Sequence, residues 1–80
     1  MKVLNKNVIL KEAKVNETVS GIIINNTLEN IGEVVYFDET LSNIQKGNLV
    51  AYNPEKIHHL NYKGNKYLIC NINDIYCILE

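Results

Sequence analysis

Short apolar stretches separated by turn-forming residues recur along the whole chain. Three are rich in β-branched or aromatic residues: Asn7–Glu12 (NVILKE), Glu33–Phe37 (EVVYF) and Leu49–Tyr52 (LVAY). A hairpin is predicted over Ile57–Cys70, with its turn at Lys63-Gly64-Asn65, and a closing strand over Ile75–Leu79. No helical period holds over eleven residues, and Gly, Asn or Pro stands between the apolar stretches. The pattern predicts an all-β domain, and the short spacing of the strands favours a small β-barrel.

One stretch departs from this pattern. Lys11–Ser20 has the polar composition of a loop, and Gly21 and three consecutive isoleucines, Ile22–Ile24, follow it before Asn25–Ile31 becomes turn-like again. A strand with one wet face would alternate apolar and polar residues, and the isoleucines do not alternate. They need burial on both faces of a strand, or burial against something outside the chain. Two interpretations stay open, a buried central strand and a recognition segment that enters a partner's groove.

Length and cysteine content bear on assembly. Eighty residues make one domain, residues 1–80, and such a chain buries roughly 60% of its unfolded surface. Its two cysteines, Cys70 and Cys77, form no CxxC and no zinc-type cluster, so we expect neither a disulfide framework nor a metal. Oligomerisation is then the expected source of additional burial.

Charge and hydropathy give no support to two partner classes, nucleic acids and membranes. The net charge is −1, and all eight basic residues are lysines, so the bidentate fork that reads phosphate and guanine is missing. We expect no nucleic-acid partner. The N-terminal residues Met1–Lys6 contain no apolar core of a signal peptide, and no stretch reaches membrane-spanning length. These features predict a cytoplasmic protein without a membrane partner.

Candidate catalytic and metal-ligating residues are few. His58 and His59 are adjacent and would face opposite sides of a strand, so they cannot both bind one metal without a bulge. Asp38 and Glu39 resemble a solvated loop pair rather than an acid–base dyad. No GxSxG, P-loop or dinucleotide motif is present. We therefore expect no enzyme activity, no metal and no cofactor.

The order of the segments resembles the GroES-type co-chaperonins, the 10-kDa chaperonin family. The resemblance is carried by six segments in the family's order, over about three quarters of the chain: Asn7–Lys11, Glu17–Ile24, Gly32–Val35, Lys46–Tyr52, Tyr62–Ile69 and Asn73–Glu80.

Four features depart from the family pattern. The family's Pro-Leu-His-Asp segment is reduced to Leu4-Asn5-Lys6, and Asn48 stands where an acidic residue is usual. The loop has one glycine, Gly21, where two are common. The connection over about residues 38–46 is short, where the family has a hairpin that roofs a dome. We expect a reduced or open roof, as would suit a phage or another compact genome.

The resemblance implies a ring-shaped lid with a mobile loop. Family members form seven-membered rings and bind the apical domains of a GroEL-type chaperonin when that partner, not the lid, has bound ATP. They enclose unfolded client proteins for folding. The mobile loop would span about residues 15–27, with the apolar tripeptide making the contact. The implied binding residues are Thr18, Ser20, Gly21, Ile22, Ile23 and Ile24.

The resemblance also assigns the two termini to a subunit interface, where one subunit's N-terminal strand pairs with its neighbour's C-terminal strand. The residues are Val3, Leu4, Cys77, Ile78 and Leu79. Two other functions remain open. One is a small monomeric barrel that binds peptide or single-stranded nucleic acid, and the other is a protein of the same fold that blocks a chaperonin.

Overall fold

The described residues form one antiparallel β-sheet of six strands. The computed structural model describes residues 1–19 and 22–80, and the side chains of residues 1–13 and 30–80. The strands follow one another in space in the order β4-β5-β1-β2-β3-β6, which fits a small barrel and confirms the predicted all-β class. The strands are β1 Asn7–Val19, β2 Ile22–Phe37, β3 Leu49–Tyr52, β4 His58–Tyr62, β5 Asn65–Asn71 and β6 Ile75–Ile78, with 3-10 turns at Pro54–Lys56 and Ile72–Asp74.

The core lies on one face of the first strand. Val8 and Leu10 are fully buried, and Leu10 lies opposite Val34 of β2 and Leu68 of β5. Because alternate residues of a strand share a face, Val8 and Leu10 lie on the same side of β1. The side chain of Leu10 packs between the neighbouring strands β2 and β5. The buried cluster consists of Val8, Leu10, Val34, Ile44, Val50, Leu68 and Cys70.

β1 and β2 form one long hairpin with two parts. The inner hairpin pairs residues 8–12 with 32–37, and the outer part, here called the ribbon, pairs residues 14–19 with 22–27. Between the two parts, Ala13 of β1 stands opposite four residues of β2, 28–31. This irregularity includes Asn30 at φ 58°, a left-handed conformation that asparagine tolerates better than most residues. The prediction of a loop over residues 11–20 was therefore wrong for residues 11–19, which belong to β1, while Ser20 lies outside the described residues. The turn predicted over residues 25–31 was also wrong, since these residues belong to β2.

A close contact fixes the inner hairpin next to the irregularity. Gly32 is buried, and a Cβ atom at this position would lie 3.0 Å from Cβ and Cδ1 of Leu10 and 3.3 Å from the carbonyl oxygen of Lys11. The absence of a side chain at Gly32 lets β2 approach the buried Leu10 side chain.

The short connection, Asp38–Asn48, contains turns and bends and no strand. It nevertheless supplies the core, since Ile44 is 2% exposed and Leu41 packs against the same cluster. Its end is tied to β2, because the amide of Gly47 donates to the carbonyl of Val34 (2.8 Å) and the amide of Val34 donates to that of Asn48 (2.9 Å).

The hairpin over β4 and β5 has the turn that the sequence predicts. Lys63 and Gly64 occupy it at φ 50° and φ 80°, the two positive values of a type I′ turn. Among the described residues, no helix is long and apolar enough to cross a membrane.

Candidate partner-binding sites

The ribbon contains Thr18 and Ile22–Ile24, four of the six residues that the family resemblance assigns to chaperonin recognition. Within it Val19 pairs with Ile22, Thr18 with Ile23 and Glu17 with Ile24. Of the other strands described, β5 pairs with β1 only along residues 7–10, and β3 pairs with β2 only along residues 31–33. The ribbon is therefore a two-stranded extension of the sheet, built on the inner hairpin.

For the predicted recognition residues, the structure describes the backbone pairing of Thr18 and Ile22–Ile24. Ser20 and Gly21 lie outside the described residues, and so do the side chains of Thr18 and Ile22–Ile24. Their predicted role in binding stays a prediction.

The base of the ribbon combines packing with one ion pair. Ala13 is 5% exposed although it stands at the irregularity. Lys11 Nζ lies 3.3 Å from Glu33 Oε2, across the last regular pairs of the inner hairpin. Both side chains are substantially exposed, so this pair contributes at most about 1 kcal/mol.

The two termini expose the residues predicted to form a subunit interface. The N-terminal arm, here Met1–Leu4, belongs to no strand, and Leu4 is 58% exposed while Val3 is half-buried. At the other end β6 pairs with β3 along one edge. Beyond β6 the amide of Leu79 donates to the carbonyl of Leu49 (2.6 Å). The exposed side chains at this end are Tyr76, Cys77, Ile78 and Leu79.

The two thiols have different surroundings. Cys70 belongs to the buried cluster, and burial raises the pKa of its thiol to about 11, with a smaller contribution from the negative charge of Asp74. Cys77 is free and exposed on β6. Cys70 therefore acts as a small core residue, while Cys77 offers an accessible sulfur on the surface predicted to meet a neighbouring subunit.

The histidines lie on the strand at one edge of the sheet. His58 and His59 are exposed on β4, opposite Ile69 and Leu68 of β5. Within the described part of the chain, no three His, Cys, Asp or Glu residues gather as a metal site would require.

Asp38 has a structural role that the sequence analysis missed. Its Oδ2 accepts the amide N–H of Lys6 (2.7 Å), and its Oδ1 accepts both the amide N–H and the hydroxyl of Thr40 (3.0 Å each). The backbone hydrogen bond from Thr40, followed by that from Lys6, lowers the pKa of this carboxyl group. The sequence signal was Asp-x-Thr at the end of a strand, which is typical of a side chain that bonds the backbone two residues on.

Asn48 is a second residue whose role was missed. Its Oδ1 accepts the amide N–H of Gln45 (2.7 Å), and its Nδ2 donates to the main-chain oxygen of Glu80 (3.2 Å). An acidic residue could accept the first hydrogen bond but could not donate the second. The asparagine thus joins the short connection to the end of the chain that follows β6.

Comparison with known proteins agrees with this architecture. No curated protein matches the chain. The family model described as the chaperonin 10 kDa subunit matches residues 1–79. The match covers nearly the whole chain, including the hairpin, the short connection and both termini, and the chain therefore belongs to the chaperonin 10 kDa subunit family.

Proposed function

We propose that the protein is a co-chaperonin that forms a ring-shaped lid on a GroEL-type chaperonin. Membership of the chaperonin 10 kDa subunit family supports co-chaperonin function and a chaperonin partner, and this family is not a family of enzymes. In the proposal the ribbon binds the apical domains when the chaperonin has bound ATP, and the closed cage encloses unfolded client protein. The lid itself takes no cofactor and acts in the cytoplasm.

The observation that carries the proposal is the two-stranded ribbon with three consecutive isoleucines in one strand. Three such residues in a strand require apolar cover on both faces. A two-stranded hairpin supplies little burial by itself, and none of the other described strands pairs with residues 14–19 or 22–27. A groove on the chaperonin would supply the missing cover for Ile22–Ile24.

The energetics favour a ring over a single subunit. Burying two or three isoleucine side chains contributes roughly 3–9 kcal/mol. Ordering about ten recognition residues costs on the order of 1 kcal/mol or more for each residue. One copy would therefore bind weakly, whereas identical copies on one ring act together through their high effective concentration.

The termini supply the proposed contacts within the ring. The N-terminal arm has no strand partner among the described residues of its own chain, and β6 uses one edge for β3. We place the arm against β6 of the next subunit in a homoheptamer, with Val3 and Leu4 facing the exposed Cys77, Ile78 and Leu79. The short connection would leave the roof of this ring reduced or open, because it holds no strand between Asp38 and Asn48.

Native mass spectrometry tests both the formation of a ring and its nucleotide-dependent binding to the chaperonin. The protein is measured alone and then with a bacterial chaperonin, with and without ATP. We expect a seven-subunit species that joins the chaperonin only with nucleotide. A monomer at all concentrations that ignores the chaperonin would contradict the proposal and return the chain to the class of small monomeric binding barrels.

Two serine variants separate recognition from assembly. Ile23→Ser should leave the ring intact and abolish chaperonin binding, while Ile78→Ser should weaken the ring. Asn26→Ser, a polar exchange in the same ribbon, is the matched control and should bind normally. If Ile23→Ser fails to fold, the isoleucines are core residues and the recognition role is wrong.

A refolding assay with a client protein then distinguishes a working lid from a protein that binds and blocks the chaperonin.

A further inference from the structure

A strained turn at the start of β1 determines where the N-terminal arm leaves the barrel. Asn5 and Lys6 have φ values of 59° and 60°, and the amide of Asn7 donates to the carbonyl of Leu4 (3.1 Å). These are the features of a type I′ turn, in which both central residues are left-handed. Asparagine is common in this conformation, but lysine is not, and such a residue persists only when its surroundings hold it.

The first of these surroundings is the short connection. Oδ2 of Asp38 accepts the amide of Lys6 at 2.7 Å, and the amide of Asp38 donates to the carbonyl of Asn7 at 3.1 Å. The carboxylate cannot rotate away freely, because its other oxygen accepts two hydrogen bonds from Thr40. The connection thus holds the turn by a side chain that is itself fixed.

The second is the 3-10 turn that leads into β6. Nδ2 of Asn71 donates to the carbonyl of Asn5 (2.8 Å), and the amide of Ile72 donates to the carbonyl of Lys6 (2.9 Å). Oδ1 of Asn71 accepts the amide of Asn73 (3.1 Å) and so caps the 3-10 turn. One asparagine therefore fixes both the N-terminal turn and the entry to the C-terminal strand.

These contacts bring three segments to one point, here called the junction: the N-terminal turn, Asp38 of the connection, and Asn71 before β6. The two termini that leave the junction carry exposed apolar side chains, with Met1 and Leu4 55% and 58% exposed on the arm and Ile78 44% exposed on β6. We infer that Asp38 and Asn71 are positioning residues, which set the direction of the arm and its placement relative to β6 for pairing with a second copy of this chain. The inference rests on the proposed ring.

The charge at Asp38 suits this role. A carboxylate has two acceptor oxygens, and here they take three donors, two of them amide N–H groups. An asparagine of the same shape would keep one acceptor oxygen for Thr40 and lose the acceptor for Lys6. Asp38→Asn therefore removes the side-chain hydrogen bond from the connection to the turn, while the backbone bond from Asp38 to Asn7 and the contacts of Asn71 and Ile72 remain.

The first experiment compares Asp38→Asn with Glu39→Gln, which neutralises the neighbouring carboxyl group outside the junction. Ring dissociation is followed by native mass spectrometry through a dilution series, and protection of the Lys6 amide by hydrogen exchange. We expect Asp38→Asn to raise the dissociation concentration about tenfold or more and to lower Lys6 protection by a similar factor, the scale of one lost hydrogen bond to a charged group. Glu39→Gln should change neither by more than about twofold.

Rescue distinguishes positioning from general destabilisation. Adding Lys6→Gly to Asp38→Asn supplies a residue that adopts positive φ without strain, and ring stability should recover by more than half of the lost factor. Asn71→Asp gives an independent variant, since it keeps the acceptor for Asn73 and removes the donor to Asn5. It should weaken the ring as Asp38→Asn does, with Asn73→Asp as its control.

Three outcomes would overturn the inference. In the first, the Lys6 amide stays protected from exchange in Asp38→Asn. In the second, the amide loses protection but the ring dissociates at the same concentration as in Glu39→Gln. In the third, adding Lys6→Gly to Asp38→Asn does not restore the stability of the ring. A wild-type chain that stays monomeric refutes the proposed ring and the inference with it. In that case the Lys6 amide still reports whether Asp38 holds the turn, so the two failures can be told apart.

Discussion

The inner hairpin and the ribbon are two parts of the same pair of strands, and they are stabilised in different ways. The inner hairpin has a further strand on each side, β5 and β3, and contributes the fully buried Val8, Leu10 and Val34. The ribbon continues the same two strands past Ala13, where the other described strands no longer pair with them. Both parts are paired β-strands. The inner hairpin differs from the ribbon chiefly in the number of strands that lie beside it.

Hydrogen exchange should show the largest difference between the two parts. We expect the amides of Leu10 and Val34 to exchange only by global unfolding, and those of Thr18 and Ile23 to exchange by local opening of the ribbon. The free energies of opening should differ by about 5 kcal/mol, the lower end of the stability of a small domain. Equal protection in both parts would show that the ribbon is a stable part of the barrel.

Truncation of one apolar side chain in each part sharpens the comparison. Leu10→Ala should reduce the free energy of unfolding by about 2–5 kcal/mol, because Leu10 is fully buried and its loss leaves a cavity. Ile23→Ala should cost less than about 1 kcal/mol in the absence of a chaperonin. Urea denaturation measures both, and a large loss for Ile23→Ala would place this residue in the core.

Gly32 tests how tightly the inner hairpin is packed where the ribbon begins. Gly32→Ala should cost about 1–3 kcal/mol, since the new Cβ would meet Leu10 at 3.0 Å. The double variant with Leu10→Ala should lose less than the sum of the two single variants, because the smaller side chain makes room. Gly47→Ala is the control: its Cβ meets nothing within 4 Å, and its cost comes from φ 93° and should simply add to that of Leu10→Ala.

The smallest expected effect is that of Asn48, which joins the short connection to the end of the chain that follows β6. Asn48→Asp should lower the free energy of unfolding by about 1 kcal/mol, because it removes the donor to the main-chain oxygen of Glu80. Asn43→Asp introduces the same charge at an exposed position of the connection and should be nearly neutral. Thermal unfolding of the two variants measures the difference, and equal midpoints would mean that charge alone matters.

Parts of this fold could be predicted because the signals are local. The β-branched runs of β1 and β2 and the turn at Lys63-Gly64 each depend on a few neighbouring residues. The polar composition led to a wrong prediction of a loop over residues 11–19, because pairing in a two-stranded ribbon satisfies the backbone without requiring an apolar face. Burial of Ile44 could not be predicted, since an isolated isoleucine in a polar connection carries no period.

The candidate sites were predicted less directly. The predicted roles of Ile22–Ile24 and of the two termini came from family resemblance, and the pattern of the residues left a buried strand open as an alternative. The hydrogen bonds from Lys6 to Asp38 and from Asn48 to Glu80 were missed because each joins residues 32 positions apart in the chain. Sequence patterns of short period cannot indicate such pairs.

The burial of Ile44 sets a lower limit on how far the short connection can be shortened. A deletion that removed Ile44 would open the core, so the connection has little length left to lose. The connection should tolerate an insertion better than a deletion. Ser42 and Asn43 are exposed, and the residues on either side of them, Leu41 and Ile44, are anchored in the core. An inserted hairpin would start and end at fixed points, with a modest cost in loop-closure entropy. In the proposed lid, the connection is therefore a place where roofs of different size and charge can be inserted, to ask what the ceiling of a folding chamber contributes.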